Sequence, residues 1–186
     1  MSWHRRKLVC VVVALAMLVM STELWLSLGM SVAYAIPCGI NCLNVTNTPT
    51  AVVTLNGTDQ TVSYTLTLSV NTTLNLGWNV TITSTQFTTG TTPKRSLPTT
   101  ATSVTGVTAV CTAGQTCLTM PQNSVTYPVA VPAGNPAPTA VKFYNAQALT
   151  GLGTFDLSTT IKIAVPANAY AGNYSSTITL AYVSGP

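Results

Sequence analysis

The sequence predicts an all-β chain, an antiparallel β-sandwich preceded by a signal peptide. Three observations carry this. Apolar residues alternate with hydroxyl-bearing ones over long stretches, the period-two mark of strands with one buried face. Gly, Pro and Asn turn signals break these stretches at short intervals. No helical apolar period is visible after residue 35.

The elements follow in order. Residues 36–50 form a lead-in rich in Pro, Asn and Thr. Ala51–Leu55 and Thr61–Val70 flank the turn pair Asn56-Gly57 and are expected to form a hairpin. Within the second, Val62, Tyr64, Leu66, Leu68 and Val70 alternate with Thr61, Ser63, Thr65, Thr67 and Ser69. Trp78, Val80 and Ile82 alternate with Asn79, Thr81 and Thr83. Thr88–Ala101 is a turn-rich connector; Val104, Val107 and Val110 then lead to Cys111. Ser124–Val131 alternates again, with Pro128 on the polar side, which suggests an edge strand. Beyond the loop Pro132–Pro138 come Val141, Phe143 and Leu149, then Gly151-Leu152-Gly153. Phe155–Val165 and Tyr174–Val183 are two long alternating strands. About seven to nine strands in one domain over residues 36–186 point to an Ig-like sandwich. A closed barrel is the structural alternative.

The surface of such a domain must be wettable. Here Thr, Ser and Asn supply the polarity, since only 5% of residues are charged. Thr is about a fifth of the chain after residue 35. It is β-branched, so it suits a pleated strand while staying hydrated.

The N-terminus reads as export machinery. Arg5, Arg6 and Lys7 precede an apolar run from Leu8 to Met20, and a looser apolar stretch runs from Leu24 to Val32. Ala33-Tyr34-Ala35 closes it with a small-x-small cleavage signature. Residues 1–35 are therefore expected to be a signal peptide cleaved after Ala35, leaving no membrane association. The alternative is an uncleaved anchor. The first run alone is too short to cross about 30 Å of hydrocarbon, and Glu23 interrupts the two runs together.

Without the leader the cations are Lys94, Arg95, Lys142 and Lys162 and the anions Asp59 and Asp156, so the formal charge falls from +4 to 4 − 2 = +2. A basic precursor thus gives no reason to expect a nucleic-acid partner. The Lys94-Arg95 pair sits in a Thr/Pro-rich stretch and reads as a solvated loop. Of the five cysteines, Cys10 lies in the leader, leaving Cys38, Cys42, Cys111 and Cys117. An even number in an exported chain points to disulfides. The local pairs Cys38–Cys42 and Cys111–Cys117 are favoured, with crossed pairing as the alternative. Zinc is disfavoured by the absence of Cys-x2-Cys spacing and of any histidine beyond His4.

Catalytic chemistry is nearly absent. His4 and Glu23 fall in the leader, and Asp59 and Asp156 stand far apart in sequence. General acid–base work needs a group that titrates near the working pH, and a serine nucleophile needs a base. The chain is expected to be non-enzymatic, with no cofactor and no metal.

The C-terminal part carries a more specific pattern. Tyr170-Ala171-Gly172-Asn173-Tyr174 leads into Ser175-Ser176-Thr177-Ile178-Thr179-Leu180 and ends at Pro186. With Gly77-Trp78-Asn79-Val80 upstream, this resembles the WxL surface domain of Gram-positive bacteria, over residues 51–186. Val80 stands where that family has leucine, Leu180 where it has its second tryptophan, and Tyr182 where the following leucine belongs. The resemblance implies a divergent member, secreted to the cell surface and attached non-covalently to peptidoglycan or another cell-wall polymer. Trp78, Tyr174 and Tyr182 are the candidate ligand-binding residues, because flat rings stack on sugar faces. Strand alternation also allows Trp78 to be core, with Val80 and Ile82. The alternative function is a structural surface subunit or adhesin that meets other surface proteins through edge strands.

Overall fold

The computed structural model describes residues 42–73 and 75–186, and the backbone of residues 25–35. Its strands are β1 (Trp25–Ala35), β2 (Leu43–Val45), β3 (Thr50–Thr54), β4 (Gln60–Thr72), β5 (Trp78–Thr85), β6 (Thr88–Thr89), β7 (Thr102–Cys111), β8 (Val129–Ala130), β9 (Ala133–Gly134), β10 (Val141–Ala146), β11 (Gly153–Val165) and β12 (Gly172–Ser184). The described residues contain no helix. One sheet runs β10-β5-β12-β1-β3, with β6 beside β12 and β9 beside β5; the other runs β2-β4-β11-β7-β8. Most pairs are antiparallel; β1 with β12 and β5 with β9 are parallel. The chain is an all-β sandwich. Four of its strands have only two or three residues, too short to leave an alternating pattern in sequence.

Alternation sets which side chains go inside. On β4, Tyr64, Leu66, Leu68 and Val70 are buried; on β11, Phe155, Leu157, Ile161 and Ile163; on β12, Tyr174, Ile178, Leu180 and Tyr182. Each such Leu, Ile or Phe contributes about 1.5–3 kcal/mol by leaving water. The intervening Thr, Ser and Lys residues face outward or lie partly covered. Thr159 breaks the rule: it takes an inward position on β11, fully buried, and its hydroxyl has no hydrogen-bond partner among the described residues. Valine has nearly the same shape without that unmet group. Thr159→Val is therefore expected to stabilise the fold by about 1 kcal/mol, raising Tm by roughly 2–4 °C in a thermal melt.

Two expected elements differ. Ala51–Leu55 and Thr61–Val70 do not form a hairpin. The turn is there, with Gly57 at φ 77° and the Asn56 Oδ1 accepting from the Thr58 N–H at 3.1 Å. It carries the chain from one sheet to the other: β3 pairs with β1, and β4 with β2 and β11. The strand expected over Ser124–Val131 shrinks to Val129–Ala130. Pro128 has no N–H to give to a ladder, and Ser124 and Val125 bond to Asn145 and Asn123 instead.

The second half of the expected leader also has a place in the sheet. β1 lies between β12 and β3, with Leu26 to Ala35 in register with Gly172 to Ala181. Cleavage after Ala35 would remove it and uncover that stretch of β12.

Candidate functional site

The three candidate contact residues are all interior. Trp78 opens β5 and is completely buried; Tyr174 and Tyr182 on β12 are 2% and 3% exposed. This corrects the assignment of Trp78 and Tyr182 as ligand contacts, since each falls on the buried phase of its strand; Tyr174 shares that phase but also lines a surface cleft. The Trp78 ring stacks on Tyr144 at 5.0 Å and on Tyr182 at 6.2 Å between centroids. Its Nε1–H donates to the Gly151 carbonyl at 2.9 Å. Gly151, at φ 72°, must be glycine, since a Cβ there would lie 2.6 Å from the indole nitrogen. Tyr174 donates its hydroxyl to the Tyr170 carbonyl at 3.2 Å, so it braces the turn from beneath.

Burial also sets the proton chemistry of this interior. It pushes the Tyr64 hydroxyl well above the ordinary tyrosine range, and likewise Tyr144, where the nearby Tyr127 adds to the effect. The sign follows from linkage: a phenol whose folded pKa lies above the unfolded value of about 10 stabilises the fold below that pH. The contribution is lost as pH rises through the higher folded value. Urea denaturation should therefore show stability from these groups intact at pH 8–9 and falling above about pH 10.

An accessible site lies at the other end of the sandwich. A cleft of about 470 Å³ opens between the 86–98 connector and the 166–174 turn, lined among others by Gln86, Lys94, Arg95, Leu97, Tyr170 and Tyr174. The connector is held in place rather than loose. Leu97 is buried, the Thr89 N–H donates to the Arg95 carbonyl and the Arg95 N–H to the Thr89 hydroxyl oxygen, both at 2.9 Å, and the Gln86 Nε2 donates to the Leu97 carbonyl at 2.7 Å. The Arg95 guanidinium carbon sits 3.8 Å above the centre of the Tyr170 ring, a cation–π contact across the mouth. Tyr170 is still 56% exposed. The opposite wall is tied down by Asp59, whose Oδ1 accepts from the Ala167 N–H at 2.7 Å. Asp156 is engaged far away, by the Thr112 hydroxyl at 2.8 Å.

The solvated-loop expectation for Lys94-Arg95 missed this pairing. Arg95 and Tyr170 come from distant segments, and only the sandwich joins them. Tyr170 did carry a signal, as the first residue of the Tyr-Ala-Gly-x-Tyr turn.

Cys111 and Cys117 are joined in a disulfide, with Cα atoms 5.9 Å apart. The bond closes the Thr112–Thr116 turn at the end of β7, where Gln115 N–H donates to the Thr112 carbonyl at 3.0 Å. Cys42 is disulfide-bonded; Cys38, its expected partner, lies outside the described residues. No group of three or more His, Cys, Asp or Glu able to hold a metal occurs among the described residues. No protein-family model matches the chain, and no curated protein matches it.

Proposed function

We propose that this chain is an exported, non-enzymatic surface module that attaches non-covalently to the cell wall, with peptidoglycan or an associated wall polymer as its partner. The observation that carries the reading is the position of the Tyr170–Tyr174 turn. It is the most specific part of the resemblance to WxL domains, and it forms one wall of the cleft and offers Tyr170 to solvent. An exposed ring beside hydrogen-bonding groups suits a saccharide. The fold around it supplies a scaffold without acid–base pairs: the two carboxylates beyond the leader are separated and both hydrogen-bonded. The exported protein should pellet with purified cell walls, and Tyr170→Ala should leave most of it in the supernatant. If the parent protein stays in solution, the reading fails.

One observation favours the second reading, a structural subunit joined to other surface proteins by strand contacts. Removal of the leader uncovers the β12 edge that β1 now pairs with from Gly172 to Ala181, and an uncovered strand edge can accept an added strand. Concentration-dependent polymers of the chain beginning at Ile36, without wall pelleting, would favour this reading over the first.

A further inference from the structure

The geometry points to an anionic saccharide unit as the ligand class of the cleft, one whose phosphate or carboxylate oxygens meet Arg95 and Lys94 while its sugar ring lies against Tyr170. This rests on the wall-attachment reading and narrows it. Three features carry it. First, Lys94 and Arg95 are half of the cations beyond residue 35, and both line one cleft. Second, no Asp or Glu among the described residues lines that cleft. The nearest acidic anchor of its wall, Asp59, already accepts the Ala167 N–H. A guanidinium and an ammonium without a lining carboxylate favour an incoming anion, and the planar guanidinium fork matches phosphate and carboxylate oxygens. Third, the site is built before the ligand arrives. Arg95 is fixed through its backbone to Thr89 and through its side chain to the Tyr170 ring, so little side-chain freedom remains to be lost on binding. At about 470 Å³ the cleft falls in the range of small-ligand sites, enough for a short repeat of a polymer.

The phosphate of a sugar- or glycerol-phosphate polymer and the carboxylate of a uronate polymer share this chemistry. Binding of the exported protein to a poly(glycerol phosphate), a polyuronate and a neutral glucan is the test, by titration calorimetry at two salt concentrations. Either anionic polymer should bind, the phosphate polymer alone or the uronate alone identifying the source, and the glucan should not. Arg95→Gln should weaken binding about tenfold or more. Raising salt should weaken it further, as expected for charge pairing. Lys162→Gln, on the exposed face of β11 and outside the cleft, should leave it unchanged and controls for net charge. Tyr170→Ala should weaken the polymers more than it weakens inorganic phosphate, which loses only the fixing of Arg95 by the ring. Equal affinity for neutral glucan, or an Arg95→Gln protein that is folded by circular dichroism and binds as before, overturns the proposal. So does an absence of binding to both anionic polymers. A separate comparison uses walls stripped of anionic polymers. Undiminished pelleting there sinks the anionic ligand but keeps wall attachment, whereas solution binding without any wall pelleting does the reverse.

Discussion

Trp78→Ala is expected to destabilise the protein by about 3–5 kcal/mol, lowering Tm by roughly 10 °C. The indole is fully buried and packed between Tyr144 and Tyr182, so its removal leaves a cavity lined by rings that cannot collapse far. It also orphans the Gly151 carbonyl, a buried acceptor that now receives the indole N–H at 2.9 Å. The two glycines flanking the ring make the site rigid. Gly77 (φ 74°) has no room for a Cβ, which would lie 2.6 Å from the Ala146 carbonyl oxygen, and Gly151 has none against the indole itself. Trp78→Phe should lose less, keeping a ring in the stack while giving up the hydrogen bond. Chemical denaturation of the three proteins measures this series. Wild-type stability in Trp78→Ala would mean that the indole is not part of the core.

A chain beginning at Ile36 is expected to be less stable than one beginning at Trp25, by at least about 3 kcal/mol. The first lacks β1, which matches ten residues of β12 and five of β3. Registered cross-strand pairs contribute roughly 0.2–1 kcal/mol each, and among the described residues β3 has no other partner within its sheet. Hydrogen exchange gives the residue-level readout: amides between Gly172 and Ala181 should lose protection while those of β4 and β11 keep it. Equal stability would carry a definite structural meaning. Because β3 is antiparallel to β1 and β1 parallel to β12, β3 has the polarity to close directly onto β12.

Much of this architecture was legible from periodicity. The inward faces of β4, β11 and β12 fall on the residues that alternation selects, and the core position of Trp78 follows from the same period as Val80 and Ile82. The short bridge across Thr112–Thr116 was legible from cysteine spacing. Strand partners were not. Asn56-Gly57 is a sound turn signal, yet a turn says nothing about whether the next strand stays in the same sheet. Here the partner of β3 is a segment that the charge and hydropathy pattern assigned to the leader. The cleft was the least legible feature. Its parts are Arg95 in a Thr/Pro-rich connector and Tyr170 at the head of the Tyr-Ala-Gly-x-Tyr turn; nothing local links the two, and they meet only because β6 brings that connector alongside the start of β12.

The course of β12 has a mechanical consequence. The strand starts at Gly172 beside the cleft and ends at Ser184, in register with Trp78 at the opposite end of the sandwich. A tension held between a polymer in the cleft and the chain beyond Ser184 would act along the strand axis. The ladder from Ile178 to Ser184 against β5 would then be loaded in shear. Its hydrogen bonds would resist together instead of parting one by one as in a peeled hairpin. A module built this way can yield slowly under a steady pull even when its equilibrium stability is modest, because forced unfolding is governed by the unfolding rate.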